Sequence, residues 1–94
     1  MKIKDIKPDQ KKIVTRGKVI EKSTIKELKD NKVFNIILED NTGRCDTAIY
    51  ESACKDFDKI KEGNILLIIN AMSSIKEDGN LKLNTGKYGR VYIR

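Results

Sequence analysis

The chain has 94 residues, a length that supports one domain with a single small core. It carries 20 Lys and Arg against 14 Asp and Glu, for a formal net charge of +6. It contains no histidine, which excludes Ser-His-Asp and Cys-His catalysis and histidine-ligated metals. The longest apolar run, Ile65–Ile69, is too short to cross a membrane, and no signal peptide is visible at the N-terminus. We therefore expect a cytoplasmic protein that needs no metal, cofactor or membrane, with its two cysteines reduced.

The positive charge is concentrated at the two ends of the chain. Residues 1–18 carry seven bases and two acids, and residues 80–94 carry four bases and no acid. The stretch between them has three more acids than bases. A basic surface assembled from both ends attracts a polyanion, which points to nucleic acid. The alternative at this point is a solvated, lysine-rich surface with no dedicated partner.

The first third of the chain predicts one long strand and a loop. Residues 11–23 are rich in β-branched types, as strands are. Gly17 interrupts this run, which is typical of a bend or bulge. Residues 1–10, which include the only proline, are candidates for a flexible arm. Residues 23–32 are polar and charged, so we expect a loop between strands.

A hairpin and a helical segment follow. Apolar residues alternate over 33–40 and again over 44–50, which predicts two strands joined by the turn residues Asp-Asn-Thr-Gly. Over 51–60 they recur instead with helical spacing, so we predict one short helix there. Two further strands, at 65–75 and 81–94, complete the chain.

This order of elements predicts an all-β OB-fold. The elements are three strands, one short helix and two strands, which is the order of a five-stranded Greek-key barrel with one short helix between strands 3 and 4. A long first strand with a central glycine suits this barrel, because that strand must curl to pair on both sides. We expect residues 1–94 to form a single OB-fold nucleic-acid-binding domain.

In this order and spacing, the segments resemble an OB domain of the replication protein A family of single-stranded DNA-binding proteins, most closely its archaeal members. Residues 6–8 and 13–19 are similar to the opening strand of the family, and 36–50 to its central hairpin. Residues 63–65 are similar to the start of its fourth strand. The resemblance implies a non-enzymatic protein that binds single-stranded DNA in replication, repair or recombination, with little preference for base sequence.

The resemblance also implies a site, a groove across the second and third strands clamped by two loops. Tyr50 falls on the base-stacking aromatic of the family. Asp46 lies where members often carry a base, and the second stacking aromatic has no clear counterpart. We therefore expect weak binding by this domain alone, and tighter binding when further OB domains are linked in the same protein or in a partner subunit. The clamp-loop bases are Lys26 and Lys32 in the first loop, with Lys76 and Lys82 flanking the second.

Side-chain chemistry adds further candidates, because a single-strand binder needs flat side chains for bases and cations for phosphates. Tyr50 is predicted to face outward, since its neighbours at 45, 47 and 49 alternate inward. Tyr88 is a candidate second platform, and Asn35 is a candidate for hydrogen bonding to a base edge. Phe34, Phe57 and the two cysteines are predicted to be buried. The candidate phosphate contacts outside the clamp loops are Arg16, Lys18 and Arg44.

Two other functions remain open. An RNA-binding OB-fold of the anticodon-binding type would have similar opening strands, and competition between single-stranded DNA and tRNA separates it from a DNA binder. An OB subunit that binds only protein would have no affinity for oligo(dT) at low salt. The acidic middle of the chain and the missing second aromatic favour this last alternative.

Overall fold

The structure is a computed structural model that describes residues 1–86 and 88–94. Its strands form one sheet that closes on itself in the order β1-β3-β4-β6-β5, with β1 pairing again with β5. This closed path of five strands is the predicted OB-fold. No helix among the described residues is both long enough and apolar enough to span a membrane. The strands are β1 (Ile13–Lys22), β2 (Lys26–Leu28), β3 (Asn31–Asp40), β4 (Gly43–Tyr50), β5 (Ile65–Ile75), β6 (Leu81–Asn84) and β7 (Arg90–Ile93).

Strand β1 closes the barrel because it pairs on both sides. Its second half runs antiparallel to β3, and its first half runs antiparallel to β5. Gly17 lies where the two pairings meet. A Cβ at this position would lie 2.8 Å from the Leu38 Cγ and 2.8 Å from the Glu39 carbonyl oxygen. The glycine that the sequence marks as a bend is therefore required by the close approach of β3.

The barrel interior is filled by the inward-facing apolar side chains of the strands. The ring of Phe34 packs against that of Phe57, with 4.7 Å between ring centroids, so both predicted core aromatics are buried. Phe57 belongs to the segment between β4 and β5, which therefore covers one end of the barrel. The strand residues that are 1% exposed or less include Val19, Phe34, Leu38, Ile49, Leu66, Ile68 and Leu83.

The segment between β4 and β5 contains two 3-10 turns, Glu51–Ala53 and Phe57–Lys59, in place of the predicted continuous helix. Cys54 between them is extended, with φ −142° and ψ 116°, which interrupts any helix. A helix of this length is marginal by itself, so packing decides its form. The helical spacing nevertheless predicted the correct buried side chains, which are those of Ala53, Phe57 and Ile60.

Residues 1–10, considered above as a flexible arm, lie against the barrel. The side chains of Ile3 and Ile6 are buried in the main core. The hydroxyl of Thr15 donates a hydrogen bond to the Met1 carbonyl oxygen at 2.6 Å, which ties the first residue to β1. The two isoleucines of this segment, rather than its lysines, therefore decide where it packs.

Asp40 fastens the N-terminal segment to the turn between β3 and β4. Its carboxylate accepts hydrogen bonds from the N–H groups of Ile3, Thr42 and Gly43 and from the Thr42 hydroxyl. Burial by itself would raise the pKa of Asp40, but these hydrogen bonds, led by that of the Thr42 hydroxyl, favour the charged form and lower the pKa. One carboxylate therefore holds two pieces of the chain together.

Two connections also differ from the predicted ones. Residues 23–32 contain the short strand β2, which forms a hairpin with β3. The last predicted strand is divided, because β6 ends at Asn84 and β7 begins at Arg90. Gly86 has a positive φ of 56°, and a Cβ at Gly89 would lie 2.1 Å from the Thr85 carbonyl oxygen. Both glycines are therefore needed for this tight turn.

Candidate nucleic-acid interface

The outer face of β3, β4 and β6 forms a continuous surface, which we call the wall. Residues directly opposite each other in paired strands share a face of the sheet. Val33 lies opposite Tyr50 at one end of the wall. In the next row Asn35 lies opposite Ala48, which pairs in turn with Asn84. Tyr50 is therefore on the outer face, as the alternation predicts, and the adjacent row carries two carboxamides.

The rows at the other end of the wall are charged. Ile37 lies opposite Asp46, which pairs with Lys82 on β6. Beyond them Glu39 lies opposite Arg44. Asp46, noted above as a departure from the replication protein A pattern, is thus at the centre of the wall.

Thr85, which follows β6, is hydrogen-bonded to β4 at the Tyr50 end of the wall. The N–H and the hydroxyl of Thr85 both donate to the Ala48 carbonyl oxygen, at 3.2 and 3.3 Å. The Tyr50 N–H donates to the Thr85 hydroxyl oxygen at 3.3 Å, and the Gly89 N–H donates to the Thr85 carbonyl oxygen at 2.8 Å. Thr85 is therefore fixed beside β4. Tyr88, three residues further on, has a largely exposed side chain, at 72%, and its carbonyl oxygen accepts a hydrogen bond from the Asn70 side chain of β5 at 3.3 Å.

Two bases at the charged end of the wall, Arg44 and Lys76, are engaged by acids of the same chain. The ammonium of Lys76, in the turn after β5, forms ion pairs with Asp46 and Asp78. The hydrogen bond to Asp46 raises the pKa of Lys76, because it favours the charged form. The Nε of Arg44 donates to a carboxylate oxygen of Glu39 at 2.5 Å. A phosphate group that binds here must compete with these carboxylates for both cations.

The two bases predicted for the first clamp loop lie on opposite sides of the β2–β3 hairpin. Lys26 is opposite Val33, so it shares the face that carries Tyr50. Lys32 is opposite Glu27, one residue out of phase with Val33, so it belongs to the other face. Of this pair only Lys26 is placed beside the wall. Lys76 and Lys82 flank the β5–β6 turn, as expected.

The two β1 candidates lie farther round the barrel. Arg16 is opposite Leu67 on β5, and no pairing connects it with β3, β4 or β6. Lys18 is opposite both Ile65 on β5 and Glu39 on β3, so it stands at the edge of the wall. Both residues are exposed. Strand alternation alone does not show on which side of the closed barrel an exposed residue lies.

The cysteines do not contribute a reactive group to the wall. Cys45 and Cys54 are free and buried. Burial raises the pKa of the Cys45 thiol to about 11, so it is uncharged at neutral pH. Within the described part of the chain, no three acidic or cysteine side chains are grouped closely enough to hold a metal ion.

No family model matches this sequence, and no curated protein matches it. Several solved structures are similar. The solution structure of the replication factor A related protein from Methanobacterium thermoautotrophicum has a TM-score of 0.82 and 17% identity, over all of this chain and 89% of that one. The OB domain of Ta0387 from Thermoplasma acidophilum has a TM-score of 0.77 and 20% identity, over all of this chain and 85% of that one.

A third similar structure is that of Schizosaccharomyces pombe Pot1pC bound to single-stranded DNA. It has a TM-score of 0.67 and 14% identity, and the match covers all of this chain and 85% of that one. At these identities the comparisons establish the fold. Together with the closed strand order, they define this chain as an OB-fold domain. Its topology is that of a replication factor A related protein, which is the fold that the sequence resemblance implied.

Proposed function

We propose that the wall binds single-stranded DNA, with little preference for base sequence and without catalysis, in replication, repair or recombination. The observation that carries the proposal is the ring of Tyr50 on the outer face of β4, with Lys26 beside it on the same face of the sheet. Tyr88, an exposed tyrosine three residues after Thr85, is the second stacking residue of the proposal. Unpaired bases stack on such rings whatever their identity. The likeness to Pot1pC, which was solved with single-stranded DNA, supports the same conclusion.

Lysines around the wall supply the phosphate contacts of this proposal. Lys82 lies on the wall, Lys26 stands beside the Tyr50 end, and Lys76 is at the opposite side. Each phosphate contact adds affinity by counterion release, so binding should weaken as salt is raised. Because Asp46 already holds Lys76, this domain by itself binds weakly, and linked OB domains would add affinity through high effective concentration.

The experiment is a titration of fluorescein-labelled oligo(dT), followed by fluorescence anisotropy at several salt concentrations. Tyr50→Ala removes the ring from the wall. Tyr92→Ala is the matched control, because Tyr92 is a partly exposed tyrosine of β7 that is not on the wall. We expect Tyr50→Ala to lose about 1–3 kcal/mol of binding free energy, and Tyr92→Ala to bind as the wild type does. Equal affinity of all three proteins would remove Tyr50 from the site.

Two further measurements test the alternatives, an RNA-binding OB-fold and an OB domain that binds only protein. Oligo(U) is titrated in the same way, and tighter binding of oligo(U) than of oligo(dT) would replace the DNA proposal with an RNA-binding OB-fold. Absence of binding to both oligonucleotides at low salt would contradict a nucleic-acid function altogether. A protein-binding OB domain would then be the remaining alternative.

A further inference from the structure

A second part of the barrel surface has an apolar centre. It is the outer face of β1, β5 and β7, which we call the β1–β5–β7 face. Along β5, Leu66 and Ile68 are fully buried, and the residues that alternate with them point outward. These outward residues are Ile65, Leu67 and Ile69, and all three are only half-buried. They form a column of branched aliphatic side chains on the outside of the barrel.

Basic and aromatic side chains border this column on both sides. Leu67 lies opposite Arg16 on β1 and opposite Tyr92 on β7. Ile69 lies opposite Arg90 on β7. Tyr92 is 43% exposed, and Arg16 and Arg90 are exposed. Each central aliphatic residue therefore has a cation or a ring as its immediate neighbour.

Among the described residues, the cations of this face are not held by salt bridges, unlike Arg44 and Lys76 at the wall. Lys18 lies opposite Ile65, and the N–H of Arg94 donates to the Ile65 carbonyl oxygen at 2.7 Å. Within the described residues, none of the salt bridges involves a cation of this face. The face thus presents cations outside any salt bridge around an apolar centre, although Glu39 lies opposite Lys18 and a pocket beside Arg16 is also lined by Asp5 and Asp40. Its four cations are Arg16, Lys18, Arg90 and Arg94.

We propose that the β1–β5–β7 face binds an acidic segment of a protein partner that also carries apolar side chains. The cations of the face are complementary to carboxylates, and charge complementarity steers and aligns such partners. The aliphatic column is complementary to apolar side chains, which a phosphate backbone does not offer. The ring of Tyr92 already has a partner, because the guanidinium of Arg94 lies 5.5 Å from its centroid. Base stacking is therefore less well served here than at the wall.

This interaction is separate from DNA binding, because it uses other strands. The two functions can therefore be tested independently in one protein. Amide NMR spectra of the labelled protein show which strands respond to each ligand. The probe is a synthetic peptide that alternates Asp and Leu, with a control peptide that alternates Asp and Ser. A peptide of about ten residues spans about 33 Å when extended, which compares with 31 Å for the longest dimension of the domain.

We expect the Asp-Leu peptide to shift amides of β1, β5 and β7, and the Asp-Ser peptide to bind more weakly. Arg16→Glu/Arg90→Glu should lower peptide affinity about tenfold, roughly two exposed ion pairs. The matched control is Lys29→Glu/Lys32→Glu, which makes the same change in net charge at two positions of the β2–β3 hairpin, outside this face. We expect it to bind the peptide as the wild type does. Amide spectra of both variants first establish that each is folded.

Three results would overturn the proposal. The first is equal loss of peptide affinity in the two double variants, which would reduce the effect to net charge. The second is a peptide response confined to the wall, or no response at all. The third is a response of the β1–β5–β7 face to oligo(dT), which would assign the face to nucleic acid. Failure of oligo(dT) to bind anywhere would contradict the DNA proposal and leave the peptide result unaffected.

Discussion

Replacing the carboxylate of Asp46 tests directly whether it competes with DNA phosphates for the cations of the wall. Asp46 lies at the centre of the wall, pairs with Lys82 across the β4–β6 register and forms an ion pair with Lys76. Asp46→Asn preserves the shape of the side chain, removes one negative charge and leaves Lys76 with only Asp78 of its two charged partners. We therefore expect the variant to bind oligo(dT) more tightly than the wild type, and its affinity to depend more steeply on salt.

The magnitude follows from the position of the charge. A unit charge about 7 Å from a phosphate contributes about 0.6 kcal/mol in bulk water and about 2.4 kcal/mol at an effective dielectric constant near 20. The side chains of Asp46 and Lys76 are 31% and 33% exposed, so an intermediate value applies. We expect a gain of about 1 kcal/mol, or about fivefold. If Lys76 then contacts one more phosphate, the slope of log affinity against log salt steepens by about 0.7.

The assay is the anisotropy titration with oligo(dT), repeated over a range of salt concentrations. Asp58→Asn is the matched control. It makes the same change in net charge, and Asp58 is exposed on the 3-10 turn at 57–59. If Asp46→Asn binds no more tightly than Asp58→Asn, the carboxylate does not compete with phosphate. If it binds more weakly than the wild type, Asp46 instead positions Lys76 for DNA, and the reasoning is refuted.

Three further predictions concern stability and reactivity. Gly17→Ala should lower the unfolding free energy by about 1–3 kcal/mol through its clash with β3, seen as a lower thermal midpoint by circular dichroism; an unchanged midpoint would mean that β1 and β3 separate freely. Cys45, whose pKa is about 11, should resist a thiol reagent until denaturant is added; rapid native-state reaction would contradict its burial. Asp40→Ala should lose about 1–3 kcal/mol in denaturant titrations at neutral pH. Because the folded-state pKa of Asp40 lies below its unfolded value, this difference should persist above pH 4 and shrink as the pH falls through the folded pKa; a constant difference would exclude the ionised carboxylate as its cause.

Strand positions could be predicted from the sequence because burial on one face imposes a period of two residues. The predicted strand at 44–50 corresponds to β4, and the one at 65–75 has the bounds of β5. The division of the last strand could not be predicted in the same way. It depends on hydrogen bonds between Thr85 and β4, which join residues that are far apart in the sequence.

The candidate site was predictable one strand at a time but not as an assembly. Alternation placed Tyr50 on an outer face, which the strand pairing confirms, and the candidate phosphate contact Arg16 is exposed as well. In a closed barrel, however, outer faces point in all directions, so the two residues lie on different strand pairs. Similarly, the sequence marked Asp46 as a departure from the replication protein A pattern, whereas its ion pair with Lys76 required the three-dimensional structure.

The double pairing of β1 has a consequence for how the chain reaches this structure. Ile13 pairs with Ala71 near the far end of β5, so the ring can close only after most of the polypeptide has been brought together. Barrels dominated by such distant pairings fold on the scale of milliseconds to seconds, because loop closure precedes the contacts that stabilise it. Until then β1 exposes two unpaired edges, and the nascent chain is open to strand exchange with another copy at either side.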